Sequence, residues 1–211
     1  MSRAIPAEPD LASLVGLLER LVAIDTQNPP GQEAKAAALL ATELEGMGFA
    51  TEVRSLVEGR ANVVARLDNG AGPCFAFNSH TDTVPVGGGW TSNPLRLTER
   101  DGKLVARGAC DAKGPIAAMI EAGRLLLAGR DAWRGTLLLA FVADEEVDGG
   151  GSRALARQQP KADLVVVGEP TNNAVCAAHK GCLRPLIRAK GRAAHSGRPE
   201  LGITRLSLLG V

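Results

Sequence analysis

The sequence has few aromatic residues and no tyrosine. Aromatic side chains make up 3% of the 211 residues, while apolar residues as a whole make up 45%. The core must therefore be built mainly from Leu, Val, Ile and Ala. None of the four cysteines, at positions 74, 110, 176 and 182, forms a C-x-x-C pair. This pattern indicates free thiols in a reducing compartment and gives no sign of a thiolate metal site or a disulfide framework.

The chain also lacks a charge excess and a long apolar run. Its 24 basic and 23 acidic residues leave a net charge of +1, which gives no support for a nucleic-acid or acidic-membrane partner. The longest apolar stretch, residues 137–143, is far shorter than the ~20 residues that span a bilayer. The N-terminal sequence MSRAIPAEPD places acids before any apolar run, unlike a signal peptide. We therefore expect a cytoplasmic protein.

Two common catalytic or nucleotide-binding signatures are absent. The sequence contains no G-x-x-x-x-G-K-[S/T] and no G-x-S-x-G, which argues against a P-loop protein and against a serine hydrolase with a nucleophile elbow. Gly87-Gly88-Gly89 precedes no predicted helix, so we interpret it as a loop.

What is present is an alternation of helices and apolar strands. Helical periodicity predicts helices over residues 11–24, 33–47 and 115–127. Short apolar runs predict buried strands over residues 74–78, 136–142 and 164–167. Together these elements predict an α/β fold, a three-layer αβα domain around a mainly parallel sheet. After Glu169-Pro170 the alternation of helices and apolar strands stops. We therefore expect a catalytic domain over residues 1–176, followed by the start of an α+β domain over residues 177–211.

A histidine and several acids lie at the ends of the predicted strands or in the loops that follow. In open α/β sheets that edge is where ligands bind. So many carboxylates in one pocket would repel one another unless cations balance them. Imidazole and carboxylate ligands suit Zn²⁺, with Co²⁺ or Mn²⁺ as substitutes. The candidate ligands and catalytic groups are His80, Asp82, Asp111, Glu145, Glu146 and Glu169.

Each of these residues also has an ordinary explanation when taken alone. His80 is explained by a local hydrogen bond, Asp111 by an N-cap of the following helix, and Glu169 by a surface turn. Glu145 and Glu146 fit a solvated acidic loop. The metal interpretation rests on the whole set, because so many donors at successive strand ends are poorly explained by chance.

Four segments then carry a family resemblance. They are Ser79-His80-Thr81-Asp82-Thr83-Val84-Pro85, Gly108-x-x-Asp111-x-Lys113-Gly114, Asp144-Glu145-Glu146 and Gly168-Glu169-Pro170-Thr171. In order and spacing they resemble the acetylornithine deacetylase and succinyl-diaminopimelate desuccinylase family, which includes aminoacylases and glutamate carboxypeptidases. The resemblance implies a two-zinc hydrolase of the zinc-exopeptidase fold that cleaves the amide bond of a small N-acyl amino acid or peptide.

The resemblance also implies a role for each residue. His80 and Glu169 would bind one zinc, Glu146 would bind the other, and Asp111 would bridge both. Glu145 would act as the general base, and Asp82 would orient His80.

The last segment, Gly191-x-x-Ala194-His195-Ser196, resembles the family's lid or dimerisation domain. There His195 would hold the substrate carbonyl oxygen in a neighbouring subunit's site, so we expect a homodimer for the full-length protein. The family's second zinc needs a further histidine from later in the chain, and Ile203-Thr204 stands where the family has Asn-Ala. We therefore expect a truncated or frame-altered chain. Deacetylase, desuccinylase and dipeptidase activities all stay open, and the alternative is a catalytically dead remnant that acts as a binding or subunit-interaction module.

We expect the 211-residue chain alone to show little or no hydrolase activity with added Zn²⁺. One zinc site would have only Asp111 and Glu146 as protein ligands, which favours weak binding there. The measurement is turnover of N-acyl amino acids by the purified chain. Ordinary turnover would contradict the expectation.

Overall fold

The computed structural model describes residues 4–5, 8–158, 160–181, 191–192 and 194–202. The chain divides into two compact units, Met1–Asn173 and Ala174–Val211. The helices of the first unit are α1 (Leu11–Ala23), α2 (Glu33–Gly46), α3 (Lys113–Ala128) and α4 (Gly150–Arg157). Its strands are β1 (Ala50–Val57), β2 (Arg60–Asn69), β3 (Cys74–His80), β4 (Thr98–Arg100), β5 (Lys103–Val105), β6 (Gly135–Val142) and β7 (Leu164–Val167).

Five strands form the main sheet in the order β1-β2-β6-β3-β7. Strands β6, β3 and β7 are mutually parallel, whereas β2 runs antiparallel to both β1 and β6. The tight turn at Glu58-Gly59 explains the reversal, because so short a connection can only join antiparallel strands. All the strands of this sheet except β2 therefore share one direction, and the predicted α/β fold with a mainly parallel sheet is confirmed. Strands β4 and β5 form a separate hairpin, as the Asp101-Gly102 turn signal predicts.

The sheet separates two apolar layers. One layer packs residues of α1, α2 and α3 against the sheet, and it contains the larger cluster of buried side chains. On the other face Val64, Ala76, Leu138 and Ala140 are buried beside Leu155 of α4. Strand β6 lies at the centre and all eight of its residues are buried, which explains its uninterrupted apolar sequence.

The parallel strands bring the candidate site residues to one edge. β3, β6 and β7 end at His80, Val142 and Val167, and parallel pairing places these carboxyl ends side by side. The loop after α1 reaches the same edge, where Gln27 forms a parallel bridge with Thr83. Within the described residues, no helix combines the length and the apolarity needed to cross a bilayer.

The second unit is described only in part. Its regular structure among the described residues is a 3₁₀ turn at Pro199–Leu201. Residues 182–190 and the segment from Ile203 onward lie outside the described residues. The division after residue 176 and the α+β lid domain stay predictions.

Strand β7 forms an exposed apolar edge of the main sheet. Its residues Leu164, Val165, Val166 and Val167 are 58%, 51%, 41% and 55% exposed. Among the described residues, only β3 pairs with this strand. An apolar strand with one unpaired edge is a template for association with another chain.

We expect Val165→Lys to reduce self-association of the chain, measured as light scattering during storage. A charge on an edge strand opposes edge-to-edge pairing, and a half-exposed position should change the free energy of unfolding by only about 0.5 kcal/mol. The contrasting variant is Leu139→Lys, which places a charge at a fully buried position and should unfold the protein. Unchanged scattering by the Val165→Lys variant would show that the chain does not self-associate through the edge of β7.

Candidate metal centre

His80 lies at the end of β3 and is 2% exposed. Its Nε2 lies 2.9 Å from Asp111 Oδ1 and 3.8 Å from Glu169 Oε2. Its Nδ1 lies 3.0 Å from the main-chain oxygen of Asp82 and 3.5 Å from the Asp82 carboxylate. The carbonyl is thus the nearer partner, and because it can only accept, Nδ1 carries a proton. That arrangement turns Nε2 toward the acids as the ligating nitrogen.

Among the described residues, His80, Asp111 and Glu146 form a group of metal-type donors. One ligand atom from each lies within 4.8 Å of the other two. Glu169 lies beside this group, near His80 Nε2, but is not part of it. One imidazole and two carboxylates at such separations fit a divalent cation of the Zn²⁺ type, so the residues present suit the metal that the sequence indicates.

The N-cap explanation for Asp111 is wrong. The N-cap of α3 is Ala112, and no side chain caps the helix there. The Asp111 carboxylate is directed at His80 instead. Gly114 is needed because a Cβ would lie 2.3 Å from the Ala109 carbonyl oxygen, so this glycine serves close packing of the loop and not the approach of an ion.

Asp82 holds the loop that carries the two glutamates. Its Oδ1 accepts from the main-chain N–H of Glu145 at 3.0 Å, and its Oδ2 accepts from that of Glu146 at 3.0 Å. Glu146 is half-buried and belongs to the donor group, whereas Glu145 is exposed. Within the described part of the chain, the Glu145 carboxylate has no hydrogen bond or ion pair. The two adjacent carboxylates therefore have different surroundings.

The site is electrostatically unbalanced without a cation. Burial alone would lower the pKa of His80, but hydrogen bonds to Asp111 and Asp82 raise it to about 11. Burial, with repulsion from neighbouring carboxylates, also raises the pKa values of Glu146 and Glu169. For Asp82, burial is outweighed by hydrogen bonds from His80, Asn28 and the loop N–H groups, which lower its pKa to about 2. Protons thus take up part of the charge that a metal ion would balance.

The sequence does not predict that several other residues contribute to the surroundings of the site. Asn28, Arg60 and Asp144 form a polar cluster behind the glutamate loop. The sequence Asn28-Pro29-Pro30-Gly31 predicts only the end of a helix, and nothing in it indicates a partner elsewhere. Lys113, 1% exposed, donates to the Ile24 carbonyl at 2.8 Å, and burial lowers its pKa to about 8.

His195 belongs to the second unit and is exposed. The N–H of Gly197 donates to its Nδ1 at 3.1 Å. Since Nδ1 accepts this bond, Nε2 carries the proton of the neutral ring.

Comparison with known proteins adds independent information. The family model described as peptidase family M20/M25/M40 matches residues 76–188. A protein named probable succinyl-diaminopimelate desuccinylase, from Staphylococcus epidermidis, is 35% identical over 199 residues, which cover 92% of this chain and 48% of that protein. Acetylornithine deacetylase from Proteus mirabilis is 38% identical over 175 residues, covering 81% and 44%. The chain therefore spans about half the length of the curated relatives it matches.

Solved structures support the same fold. An M20 family metallo-carboxypeptidase from Sulfolobus solfataricus superposes with a TM-score of 0.66 at 22% identity, covering 74% of this chain and 37% of that one. At this identity the likeness speaks for the architecture alone.

We expect Asp82→Asn to destabilise the metal-free protein at pH 7 by about 2 kcal/mol. This figure is the lowering of the Asp82 pKa on folding, converted at ~1.4 kcal/mol per pKa unit. The folded-state pKa of Asp82 is about 2, below its ordinary 3.8. The ionised group therefore contributes stability above pH 3.8, and this contribution is lost as the pH falls through 2. Urea unfolding with a chelator, at pH 7 and at steps below pH 4, measures the difference.

The matched control is Asp101→Asn, whose side chain is 90% exposed and should change stability little at any pH. Equal stability of parent and Asp82→Asn at pH 7, or a gap that fails to narrow on acidification, would contradict the assignment.

Proposed function

The chain belongs to peptidase family M20/M25/M40, and from this premise we propose that its site serves a metal-dependent hydrolase that cleaves the amide bond of a small N-acyl amino acid or peptide. One observation carries the proposal. His80, Asp111 and Glu146, from three separate segments, bring ligand atoms within 4.8 Å of one another. The group lies at the carboxyl edge of parallel strands, where substrates of α/β enzymes bind.

The metal we propose is zinc, in two sites. His80 and Glu169 would hold one ion, Glu146 the other, and Asp111 would serve both. Three ligating carboxylates would offset most of the charge of two such ions, which a partly buried site requires. When bound, the metal ions would supply Lewis-acid activation of the amide carbonyl and of a water molecule.

Glu145 is the proposed general base. Its carboxylate is exposed and has no hydrogen bond or ion pair among the described residues, yet the main-chain bond to Asp82 fixes its backbone at the site. A carboxylate so placed can accept a proton from the attacking water and return it to the departing amine. The products are a carboxylic acid and a free amino group.

His195 is the proposed substrate contact, supplied by a neighbouring subunit of a homodimer. Because Gly197 donates to Nδ1, the neutral ring has its proton on Nε2, and this N–H is a suitable donor for the oxygen of the reacting carbonyl.

The substrate class follows from the names of the relatives. One curated relative is named a probable succinyl-diaminopimelate desuccinylase and another an acetylornithine deacetylase. We propose an N-acyl amino acid on that basis, with dipeptides as the second group to assay.

The decisive experiment is a substrate panel on the full-length gene product with added Zn²⁺, comparing N-acetyl amino acids, N-succinyl amino acids and dipeptides. We expect metal-dependent turnover of at least one class, abolished by a chelator. A full-length product that binds no metal and turns over none of them would favour the binding-module alternative.

In the same protein, Glu145→Gln should lower kcat by about 10²–10⁴-fold, the usual contribution of a general base, with metal content unchanged. Glu146→Gln should instead lower metal content. Glu58→Gln, in the exposed β1–β2 turn, is the control that should leave both unchanged. Parent-like kcat in the Glu145→Gln enzyme would exclude Glu145 as the base.

A further inference from the structure

We propose that Asn28 is a positioning residue for the metal centre, which together with Arg60 holds the loop of Glu145 and Glu146 in place. The inference rests on the proposed function, since it concerns how the same site is assembled. Asn28 lies in the loop between α1 and α2, and its side chain hydrogen-bonds to Asp82, Asp144 and Arg60. It acts through Asp82 and Asp144.

The side-chain amide of Asn28 donates to two carboxylates, which lie in loops that follow two different strands. The side chain is 2% exposed. Its Nδ2 donates to Asp82 Oδ2 at 3.0 Å and to Asp144 Oδ1 at 2.9 Å. Both amide protons are therefore used, one on the loop after β3 and one on the loop after β6.

Both carboxylates stabilise the loop that contains Glu145 and Glu146. Asp82 accepts from the main-chain N–H groups of Glu145 and Glu146. Asp144 immediately precedes the pair and adopts a φ of 65°, a left-handed conformation that a non-glycine residue adopts only at some cost. Its Oδ2 accepts from the N–H of Gly150 at 3.1 Å, which closes the loop on itself.

Arg60 fixes the orientation of the amide. Its guanidinium donates to Asn28 Oδ1 at 2.7 Å and also pairs with the Asp144 carboxylate. With its oxygen held by a cation, the Asn28 side chain must direct its NH₂ group at the two acids. An aspartate of the same size would present no donors to them and would add a third negative charge.

The consequence for the metal centre is specific. Without the Asn28 amide, Asp82 and Asp144 would be buried like charges that lack their shared donor. Relief of that repulsion requires the two loops to separate. Because the Asp82 carboxylate accepts from the main-chain N–H groups of both glutamates, that separation would move Glu146 relative to His80 and Asp111.

The test measures Co²⁺ binding by the full-length gene product used above, both as affinity and as the visible absorption bands of the bound ion, with thermal unfolding in chelator alongside. Asn28→Ala should weaken Co²⁺ binding by about 10–100-fold, the range found when a group supporting a metal ligand is lost, and should shift the absorption bands. A merely structural role would lower the unfolding temperature and leave both of the Co²⁺ readouts unchanged.

Asn69→Ala is the matched control. Asn69 also makes three side-chain hydrogen bonds, to the carbonyls of Arg130 and Trp133 and from the guanidinium of Arg130. It lies at the other end of β2, opposite Gly135 at the start of β6. This variant should lose stability without a change in Co²⁺ affinity or spectrum.

The outcomes separate the two proposals. If the parent chain binds no Co²⁺, the proposed metal centre fails and the inference falls with it. If the parent binds and a folded Asn28→Ala binds equally well, only the positioning role is overturned. Should Asn28→Ala fail to fold, Arg60→Gln decides, because it frees the Asn28 oxygen at a position 17% exposed. A weaker affinity with shifted bands supports the inference, and parent-like binding overturns it.

Discussion

Negative charge converging on one edge of the sheet is the constraint that shapes this molecule. Parallel strands β3, β6 and β7 all end there, and each is followed by at least one carboxylate. Buried carboxylates must find donors, cations or protons. The structure offers each of these solutions at once. Main-chain N–H groups bind Asp82, a guanidinium pairs with Asp144, and His80 with raised pKa faces Asp111. A metal ion would balance the charge of the remaining acids.

The one reversed strand contributes to that balance. Because β2 is antiparallel to β6, its first residue lies at the edge where β6 ends, as the pairing of Val63 with Phe141 requires. The first residue of β2 is Arg60, and its guanidinium meets Asp144 beyond the end of β6. A parallel β2 would have placed this cation at the opposite edge. The hairpin of β1 and β2 thus supplies positive charge to a site whose ligands come from the parallel strands.

The sequence predicts those features of the fold and site that depend on neighbouring residues along the chain. The unbroken apolar run of β6 predicted a strand buried on both faces, and strand-end acids predicted a ligand edge. The sequence does not predict the role of Asn28, because an Asn-Pro-Pro-Gly segment has a complete local explanation as a helix end. The partners of Asn28 lie 54 and 116 residues away, and no propensity or period records such distances. Asp111 was also open to a local explanation, and the N-cap alternative was removed by the position of the cap at Ala112 and by the contact of the Asp111 carboxylate with His80.

The acids divide into two kinds by their surroundings. Asp82 and Asp144 have short side chains that accept from main-chain N–H groups, and hydrogen bonding holds their pKa values below the ordinary range. Glu146 and Glu169 have longer side chains that reach beyond the loops, and burial with mutual repulsion raises their pKa values. Neighbouring carboxylates with pKa values driven apart by environment commonly have different roles. Here Asp82 and Asp144 hold the backbone of the loops, which leaves Glu146 and Glu169, together with Asp111, as the acids available to a cation.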